Sequence, residues 1–354
     1  MIETTRTLDE TDRALLEEIQ QQFPVDHRPF QLLGEKLGLS EQACLERIGR
    51  LKTRKVIRQV SAVFDAATLG YHTTVAAMKV DPPRADGAAE VITQHPGVSH
   101  LYKLNDPFNL WLTLHVPPTD SLEQVLAILQ TLARADETIV LSTLRLYKTG
   151  PVHDQRHEAS WLEHEEEIFD EERRMAPKVA LTEQDIRFVR VVQEDLPLLE
   201  IPYAVWAEQA EGTEEELFAW LKRMEHLGAM RRLAAILYLS DRSLLANAIV
   251  VWQVPPEQLD TVGDAMAQFR EVRYCYRRPV YPSWPYALFT VIHAATYAGC
   301  MDAARRIEDR IGRFPHKHLF STKEYKHVRV KYFSPQLDAW WQDVGLPATA
   351  KSSG

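Results

Sequence analysis

A chain of 354 residues, of which 45% are hydrophobic and 26% charged, has an ordinary globular composition and room for two to four domains. The formal net charge of −9 argues against broad nucleic-acid binding, and no run approaches the roughly 18 apolar residues of a membrane span. The acidic N-terminus is unlike a signal peptide, and the scattered cysteines Cys44, Cys275 and Cys300 suit a reducing, cytoplasmic compartment.

The chain contains an internal repeat. LDETDRALLEEI, which starts at Leu8, matches LTEQDIRFVRVV, which starts at Leu181. At the same offset, VIRQVSAVF from Val56 matches AMRRLAAIL from Ala229, and AAMKVDPP matches IVVWQVPP. Chance similarity does not keep one register over so many segments, so the sequence predicts a duplication.

Each copy opens with a helical pattern. Asp9 or Thr11 can cap the first helix, FQLLGEKLGL contains a short second helix, and Ser40 precedes the third, EQACLERIGRLKTRK. Three helices with a short glycine-containing turn before the last predict a helix-turn-helix, in which the third helix is the candidate reading helix.

Strand patterns follow the helices. After a leading strand, VIRQVSAVFD, the order is strand YHTTVAAMKV, a helix from Asp86 to about His95, the hairpin VSHLYKL and FNLWLTLHV, helix SLEQVLAILQTLA and strand VLSTLRLYK. This β-α-β-β-α-β order is typical of ferredoxin-like modules. The second copy repeats it, with helices near Leu259–Phe269 and Met301–Ile311 and a last strand HVRVKYF.

The predicted fold class is therefore α+β, with two tandem repeats of a helix-turn-helix module and a ferredoxin-like module. A charged segment between the copies is expected to be a helical linker, and its histidines His153, His157 and His164 have no recognised metal-ligand spacing, so no metal site is predicted. We expect the modules at 1–58 (helix-turn-helix), 59–150 (ferredoxin-like), 151–178 (linker), 179–232 (helix-turn-helix), 233–335 (ferredoxin-like) and 336–354 (C-terminal tail).

These motifs resemble a known superfamily. LDETDRALL and RLKTRKVIRQVSAVFD are similar to the Lrp/AsnC regulators. Within that superfamily, GVSHLYKLNDPFNLWLTLHV, YCYRRPVYPSWPYALFTVIHA and LFSTKEYKHVRVKYF resemble the sirohaem (siroheme) decarboxylases, usually two related subunits and here joined in one chain. The resemblance runs from about Leu8 to Phe333. It implies removal of two acetate carboxyl groups from sirohaem, giving 12,18-didecarboxysirohaem on a route to haem d1 or haem.

DNA binding is the competing interpretation. The first reading helix and its end carry the basic residues Arg47, Arg50, Lys52, Arg54 and Lys55, which suit phosphate contacts. Its counterpart, GTEEELFAWLKRMEHLG, opens with three glutamates that repel phosphate. A two-fold regulator needs both copies to meet paired half-sites, so we expect no DNA partner.

Sirohaem imposes its own demands on a site. A flat polyanionic ring needs arginines or lysines together with apolar or aromatic walls. Loss of CO2 from a ring acetate leaves carbanion-like charge, which a positioned acid must quench. The metallated ring itself serves as electron sink, so no cofactor beyond the iron-containing substrate is expected.

The second copy supplies the predicted catalytic group. His293, which aligns with His115, is the predicted general acid because imidazole titrates near neutral pH. Tyr276, which aligns with Tyr102, and Arg277 complete the group. Arg277 matches the family's basic position, and its neighbour on the strand faces the opposite way.

Further candidates for substrate binding are basic or aromatic. In the second copy they are Arg231, Arg232, Arg278, Trp284, Tyr286, Lys323, Lys326, His327, Arg329 and Lys331. Arg329 and Lys331 alternate with valines, so both are expected on one face of the last strand. His316 and His318 flank this segment and are possible axial ligands of the iron.

The first copy departs from the family pattern. It keeps the substrate-binding candidates His100, Tyr102 and His115 but lacks the WPY and EYK motifs, so we expect it to be a scaffold that completes its partner's site. The leading hypothesis is a sirohaem decarboxylase built as an intrachain pseudo-dimer, open to further dimerisation or to association with homologous subunits, with its main pocket in the second half. The alternatives are a regulator or tetrapyrrole sensor without catalysis, and an assembly partner that needs a homologous protein.

Overall fold

A computed structural model describes residues 8–149, 178–238 and 246–344, and the predicted linker histidines lie outside these ranges. Helices and strands are mixed, which confirms the α+β class. The chain divides into two compact units that each combine both repeats. A helical unit is drawn from 1–70, 177–240 and 331–334, and a sheet unit from 71–176, 241–330 and 335–354. No helix in the described ranges is long and apolar enough to cross a membrane.

The elements repeat in the same order in both halves. The first half contains α1 (Glu10–Gln21), α2 (Pro29–Leu37), α3 (Glu41–Thr53), β1 (Ile57–Phe64), β2 (His72–Lys79), α4 (Ala85–Thr93), β3 (Val98–Leu104), β4 (Leu110–Val116), α5 (Leu122–Ala133), β5 (Glu137–Val140) and β6 (Arg145–Lys148). The second half contains α6 (Glu183–Val192), α7 (Pro202–Gln209), α8 (Glu214–His226), β7 (Met230–Leu237), β8 (Ala246–Trp252), α9 (Leu259–Ala267), β9 (Val272–Arg277), β10 (Leu288–Ala294), α10 (Tyr297–Ile311), β11 (His316–Leu319), β12 (Ser321–His327) and α11 (Pro335–Asp343).

Side-chain caps define the helices of the helical unit. Asp9 and Ser40 accept backbone hydrogen bonds at the starts of α1 and α3, as the sequence predicts. Thr182 and Thr213 do the same for α6 and α8 within reciprocal capping boxes. Gly38 ends α2 at a φ of 68°, a left-handed conformation that favours glycine.

The leading strands of the two repeats pair with each other. β1 and β7 form an antiparallel two-stranded ribbon, in which Ala62 lies opposite Leu233. Because this ribbon belongs to the helical unit, the strands stay outside the ferredoxin-like sheets, as predicted for the leading strand.

The sheet unit contains two five-stranded antiparallel sheets that exchange strands. The first sheet has the order β12-β3-β4-β2-β5, and the second has the order β11-β8-β10-β9-β6. Each therefore takes one edge strand from the other repeat, so neither ferredoxin-like module is complete without its partner.

The exchange corrects the prediction of one strand in VLSTLRLYK. The chain changes sheet within this segment, because the Leu141 N–H donates to Val75 of the first sheet and the Leu144 N–H donates to Arg277 of the second. β5 and β6 are therefore separate strands.

The end of the chain also differs from expectation. The last strand is β12, and 328–333 lie outside any strand, so the predicted alternation of Arg329 and Lys331 on one strand face is wrong. The ladder stops after the Val328 N–H donates to Ser99 O. The predicted tail begins with α11, whose Trp340 and Trp341 pack against the first sheet's helices.

Three apolar layers hold the sheet unit together. A central cluster between the sheets joins Trp111 and Phe108 of the first half to Trp284 and Phe289 of the second. The rings of Trp111 and Trp284 lie 5.7 Å apart, edge to face. The outer face of the first sheet packs against α4 and α5, and that of the second against α9 and α10. We call the faces that meet at the central cluster the inner faces.

Candidate active site

Three histidines gather on the inner face of the first sheet. His115 lies next to the end of the central strand β4, His100 lies on the adjacent β3, and His327 lies on β12, the strand contributed by the second half. The rings of His100 and His327 are 4.6 Å apart. We call these residues the histidine cluster.

A β-bulge brings two consecutive side chains of β3 into this cluster. The ladder with β4 pairs Val98 with Leu114 and His100 with Thr113, so Ser99 is an extra residue on β3. Its hydroxyl lies 2.8 Å from His100 Nδ1 and 3.1 Å from His115 Nε2. The bulge therefore places one hydroxyl between two imidazoles.

His115 is the most enclosed member. Its Nδ1 lies 3.0 Å from the Thr73 hydroxyl on β2, and its side chain is fully buried. Burial lowers the pKa of His115 to about 4, so the ring is neutral at neutral pH. Its backbone is held by Gly97, where a Cβ atom would come within 2.2 Å of the His115 carbonyl oxygen.

His327 is the more accessible end of the cluster. Its side chain is 11% exposed, and its Nδ1 lies 3.4 Å from the Tyr102 hydroxyl and 3.5 Å from Glu324. Glu324 lies opposite Tyr102 in the ladder between β12 and β3. A phenol and a carboxylate therefore orient this imidazole.

The second sheet places different groups at the equivalent positions. His293 is the second-last residue of β10 as His115 is of β4, and Tyr276 faces Phe289 as Tyr102 faces Trp111. This register confirms the aligned pairs predicted from the sequence. Tyr276 is buried in the central cluster, stacked 5.6 Å from Phe289.

The neighbouring arginines differ in burial and in their contacts. Arg278 is buried, lies 4.4 Å over the Tyr276 ring and donates to Leu141 O, the residue at which the chain leaves the first sheet. Arg277 is half-buried and, like Arg278, borders a cavity of about 700 Å³ with apolar and proline walls. Lys103, its counterpart, borders a cavity of about 800 Å³ in the first half.

The aromatic motif WPY lies partly in the core. Trp284 is fully buried, and Tyr286 packs against it at 5.1 Å. The Lys317 ammonium lies 5.5 Å from the Trp284 ring and 2.7 Å from Asp106. These rings join the two sheets.

The basic candidates of β12 point to different partners. Lys323 pairs with Asp86, and a hydrogen bond from Tyr325 together with this lysine lowers the pKa of Asp86 to about 2. Lys326 donates to the carbonyls of Thr93 and His95 at the end of α4, and burial lowers its pKa to about 8. Neither lysine belongs to the hydrogen-bonded group around His115.

Other predicted binding residues lie elsewhere. Arg231 and Arg232 lie on β7 of the helical unit, where Arg231 pairs with Asp65 at 2.9 Å. In the same unit Lys331 pairs with Glu194. The predicted iron ligands His316 and His318 are 5.1 Å apart on β11, and Arg329 follows β12.

Sequence reasoning missed the connecting residues of the site. Ser99, Thr73 and Glu324 link the histidines, although no motif marks them. The bulge that turns Ser99 inward depends on the pairing of two strands, so the sequence signal was limited to a serine beside a histidine.

Comparison with known proteins first defines the class. A family model described as "AsnC-like ligand binding domain" matches 68–148 and 244–326. A model described as "Siroheme decarboxylase NirDL-like HTH domain" matches 12–58 and 185–231. Each model matches twice, so both halves combine an AsnC-like domain with a helix-turn-helix.

Individual relatives identify the family. A "Siroheme decarboxylase" of Hydrogenobacter thermophilus is 33% identical over 331 residues, covering 93% of this chain and 97% of that protein. A "Siroheme decarboxylase beta subunit" of Methanosarcina barkeri is 38% identical over 147 residues, which is 42% of this chain and 97% of that subunit. The crystal structure of the siroheme decarboxylase NirDL with an iron-uroporphyrin III analogue matches at a TM-score of 0.74 and 29% identity, covering 95% of this chain and 98% of that chain. The chain belongs to the sirohaem decarboxylase family, with two subunit-like halves fused.

Proposed function

We propose that this protein is a carboxy-lyase that removes two acetate carboxyl groups of sirohaem as CO2 and yields 12,18-didecarboxysirohaem for haem d1 or haem synthesis. The observation that carries the proposal is the hydrogen-bonded histidine cluster on the inner face of the first sheet. It supplies the proton donors that decarboxylation requires, in a chain whose relatives are named for this reaction.

The chemistry consumes protons. Each acetate loses its carboxylate as CO2, the electron pair of the broken C–C bond is left on the ring methylene, and one proton converts it to a methyl group. The iron macrocycle delocalises the developing charge, so we propose that no further cofactor is needed. The protein must bind the ring, exclude water and deliver two protons.

We assign proton delivery to His100 and His327. His327 is the accessible member of the cluster and is oriented by Tyr102 and Glu324, and the buried His100 lies beside it. His293 stays a predicted acid at the equivalent position of the second sheet. Arg277, beside an apolar cavity, suits one of the substrate's remaining carboxylates.

The regulator alternative fits the helical unit poorly. Arg47 pairs with Asp9 and Asp12, and Arg50 also pairs with Asp12. Lys52 pairs with Asp195. A cation that is already paired gives up that partner to contact phosphate, so this face offers little net attraction to DNA.

The fused architecture bears on partners and compartment. Two strand-exchanged repeats already form the dimer-like sheet unit, so we propose that one chain suffices for catalysis without a homologous subunit. Cys44, Cys275 and Cys300 are buried thiols and form no disulfide with one another, which favours a reducing cytoplasm.

Anaerobic incubation of the purified chain with sirohaem, followed by mass analysis of the tetrapyrrole, tests the proposal. We expect a mass loss of two CO2, with heat-unfolded protein as the control. Sirohaem that binds but stays intact would favour a sensor. Turnover that begins only when a homologous protein is added would favour the assembly-partner alternative.

A further inference from the structure

One buried hydroxyl connects the histidines of the cluster. Ser99 is fully buried, and its Oγ lies within hydrogen-bonding distance of both His100 Nδ1 and His115 Nε2. The Thr113 carbonyl oxygen, at 3.5 Å, is a third neighbour. The single hydroxyl proton can therefore be donated in more than one direction while the oxygen accepts from an imidazole N–H.

The chain of hydrogen bonds continues to a less buried residue. His115 bridges Ser99 and Thr73 through its two ring nitrogens, 3.1 Å and 3.0 Å from the respective hydroxyl oxygens. Thr73 is half-buried on β2 and follows the exposed His72. A continuous path thus runs from Thr73 through His115 and Ser99 to His100.

The neutral state of His115 suits such a path. A ring whose pKa is lowered by burial carries one N–H and one bare nitrogen at neutral pH. It can accept a proton from the Thr73 hydroxyl at Nδ1 while its Nε2 gives one to Ser99. A charged ring, with two N–H groups, could not accept at all.

We propose that Ser99 is a positioning residue that reloads the acid histidines with a proton between the two decarboxylations. The inference rests on the proposed function. Each acetate consumes one proton and releases none, so the acid that serves the first is spent before the second. Reloading then limits the second step.

The proton balance of one reload is simple. His100 gives its Nε2 proton to the ring methylene left by CO2 loss, directly or through His327. Ser99 then gives its hydroxyl proton to His100 Nδ1 and takes one from His115 Nε2. His115 Nδ1 takes the Thr73 hydroxyl proton, and a solvent hydronium ion restores the proton on Thr73 and becomes water. One proton enters from solvent and one leaves at the substrate carbon. His100 now holds its proton at Nδ1, so its ring must turn over to present that N–H to the second acetate.

The second sheet carries the same bulge without the relay chemistry. Its ladder pairs Val291 with Tyr274 and Ile292 with Val272, so Arg273 is the extra residue equivalent to Ser99. The next residue is Tyr274 where the first sheet has His100. A guanidinium always holds its proton, so this copy of the bulge cannot pass one on. The relay is therefore expected to work on the first sheet.

The test compares Ser99→Ala with two other variants. Thr73→Val removes the hydroxyl at the far end with almost no change of shape. Thr290→Val is the matched control, because Thr290 is a fully buried hydroxyl on β10 that accepts from Trp252 and lies outside the relay. Each protein is incubated anaerobically with sirohaem, and mono- and didecarboxylated products are counted over time.

We expect Ser99→Ala to slow the second decarboxylation by about 10- to 100-fold, to accumulate the monodecarboxylated product and to leave KM near the wild-type value. Thr73→Val should also accumulate the monodecarboxylated product, but to a smaller extent, since water can replace its hydroxyl. The Thr290→Val control should match the wild type. Wild-type product ratios in both relay variants would overturn the proposal. Wild-type protein that releases no CO2 would instead overturn the proposed function.

A spectroscopic readout separates the relay from a structural role. The ¹⁵N resonances of His100 and His115 report which ring nitrogen carries the proton. Ser99→Ala should change the tautomer balance of both rings at unchanged fold, while Thr290→Val should not. Unchanged ¹⁵N shifts in Ser99→Ala would contradict the positioning role.

Discussion

The inner faces of the two sheets share a fold and a bulge but not a chemistry. The first sheet presents histidines joined by hydroxyls, whereas the second presents Tyr274, Tyr276 and Phe289 beneath the buried guanidinium of Arg278. The duplication therefore preserved backbone geometry while side chains at equivalent positions diverged. At the equivalent strand positions, one copy became polar and proton-bearing and the other became aromatic.

The strand exchange brings residues of both halves into the histidine cluster. His327 belongs to the second half by sequence, yet it completes the cluster on the first sheet through β12. Neither half alone contains His100, His115 and His327. A comparison of the halves as separate modules therefore misplaces the site, because its residues are shared across the exchange.

The largest expected effect comes from His327→Asn, which removes the accessible imidazole at nearly constant size. We expect decarboxylation to fall by about 1,000-fold, or roughly 4 kcal/mol in activation free energy, with sirohaem still bound. Turnover is followed by mass analysis, and binding by the absorbance of the macrocycle. The exposed His226→Asn variant serves as control.

The variant His293→Asn tests whether the acid lies on the first or the second sheet. If the acid lies on the first sheet, this change on the second sheet should reduce turnover far less than His327→Asn. The reverse order of effects would place the acid on the second sheet, as the sequence alone predicts.

Substitution of the adjacent arginines of the second sheet is expected to have a smaller effect, and this effect is on stability. Arg278→Ala leaves Leu141 O without its buried charged donor and removes the cation above Tyr276, so it should cost about 3 kcal/mol of unfolding free energy. Urea unfolding measures this loss. Arg277→Ala, at a half-buried position, should leave stability nearly unchanged and raise KM instead. Equal destabilisation by both variants would contradict the structural role assigned to the buried Arg278.

Much of the fold follows from local patterns in the sequence. The caps at Asp9 and Ser40, the hairpin of β3 and β4 and the duplicated order are all confirmed, since each depends on residues close together in the chain. The exchange at Leu141–Leu144 was not predicted. VLSTLRLYK is one continuous strand pattern, and only the arrangement of the sheets decides where it divides.

The site was predicted in composition but not in arrangement. His100, His115, His327 and Tyr102 were all candidates, and the structure brings them together. The motif-rich second half drew the main prediction because basic and aromatic clusters are visible in sequence. The clustering of histidines from distant strands is not, since it depends on ladder register and on a bulge.

The smallest expected effect is a pH dependence of the unfolding free energy that comes from His115 on the first sheet. Burial lowers the pKa of His115 from 6.5 to about 4, so the unfolded chain binds a proton first as the pH falls. The stability that this histidine provides is complete above pH 6.5 and is lost as the pH falls toward 4, by about 2 kcal/mol at pH 5. His95, whose pKa burial lowers to about 3, adds to the same trend. Urea unfolding at pH 7 and pH 5 should show a flatter pH dependence in His115→Asn, whereas Thr290→Val on the second sheet, which changes no titratable group, should keep the wild-type slope. An unchanged slope in His115→Asn would mean that this ring is not held neutral by burial.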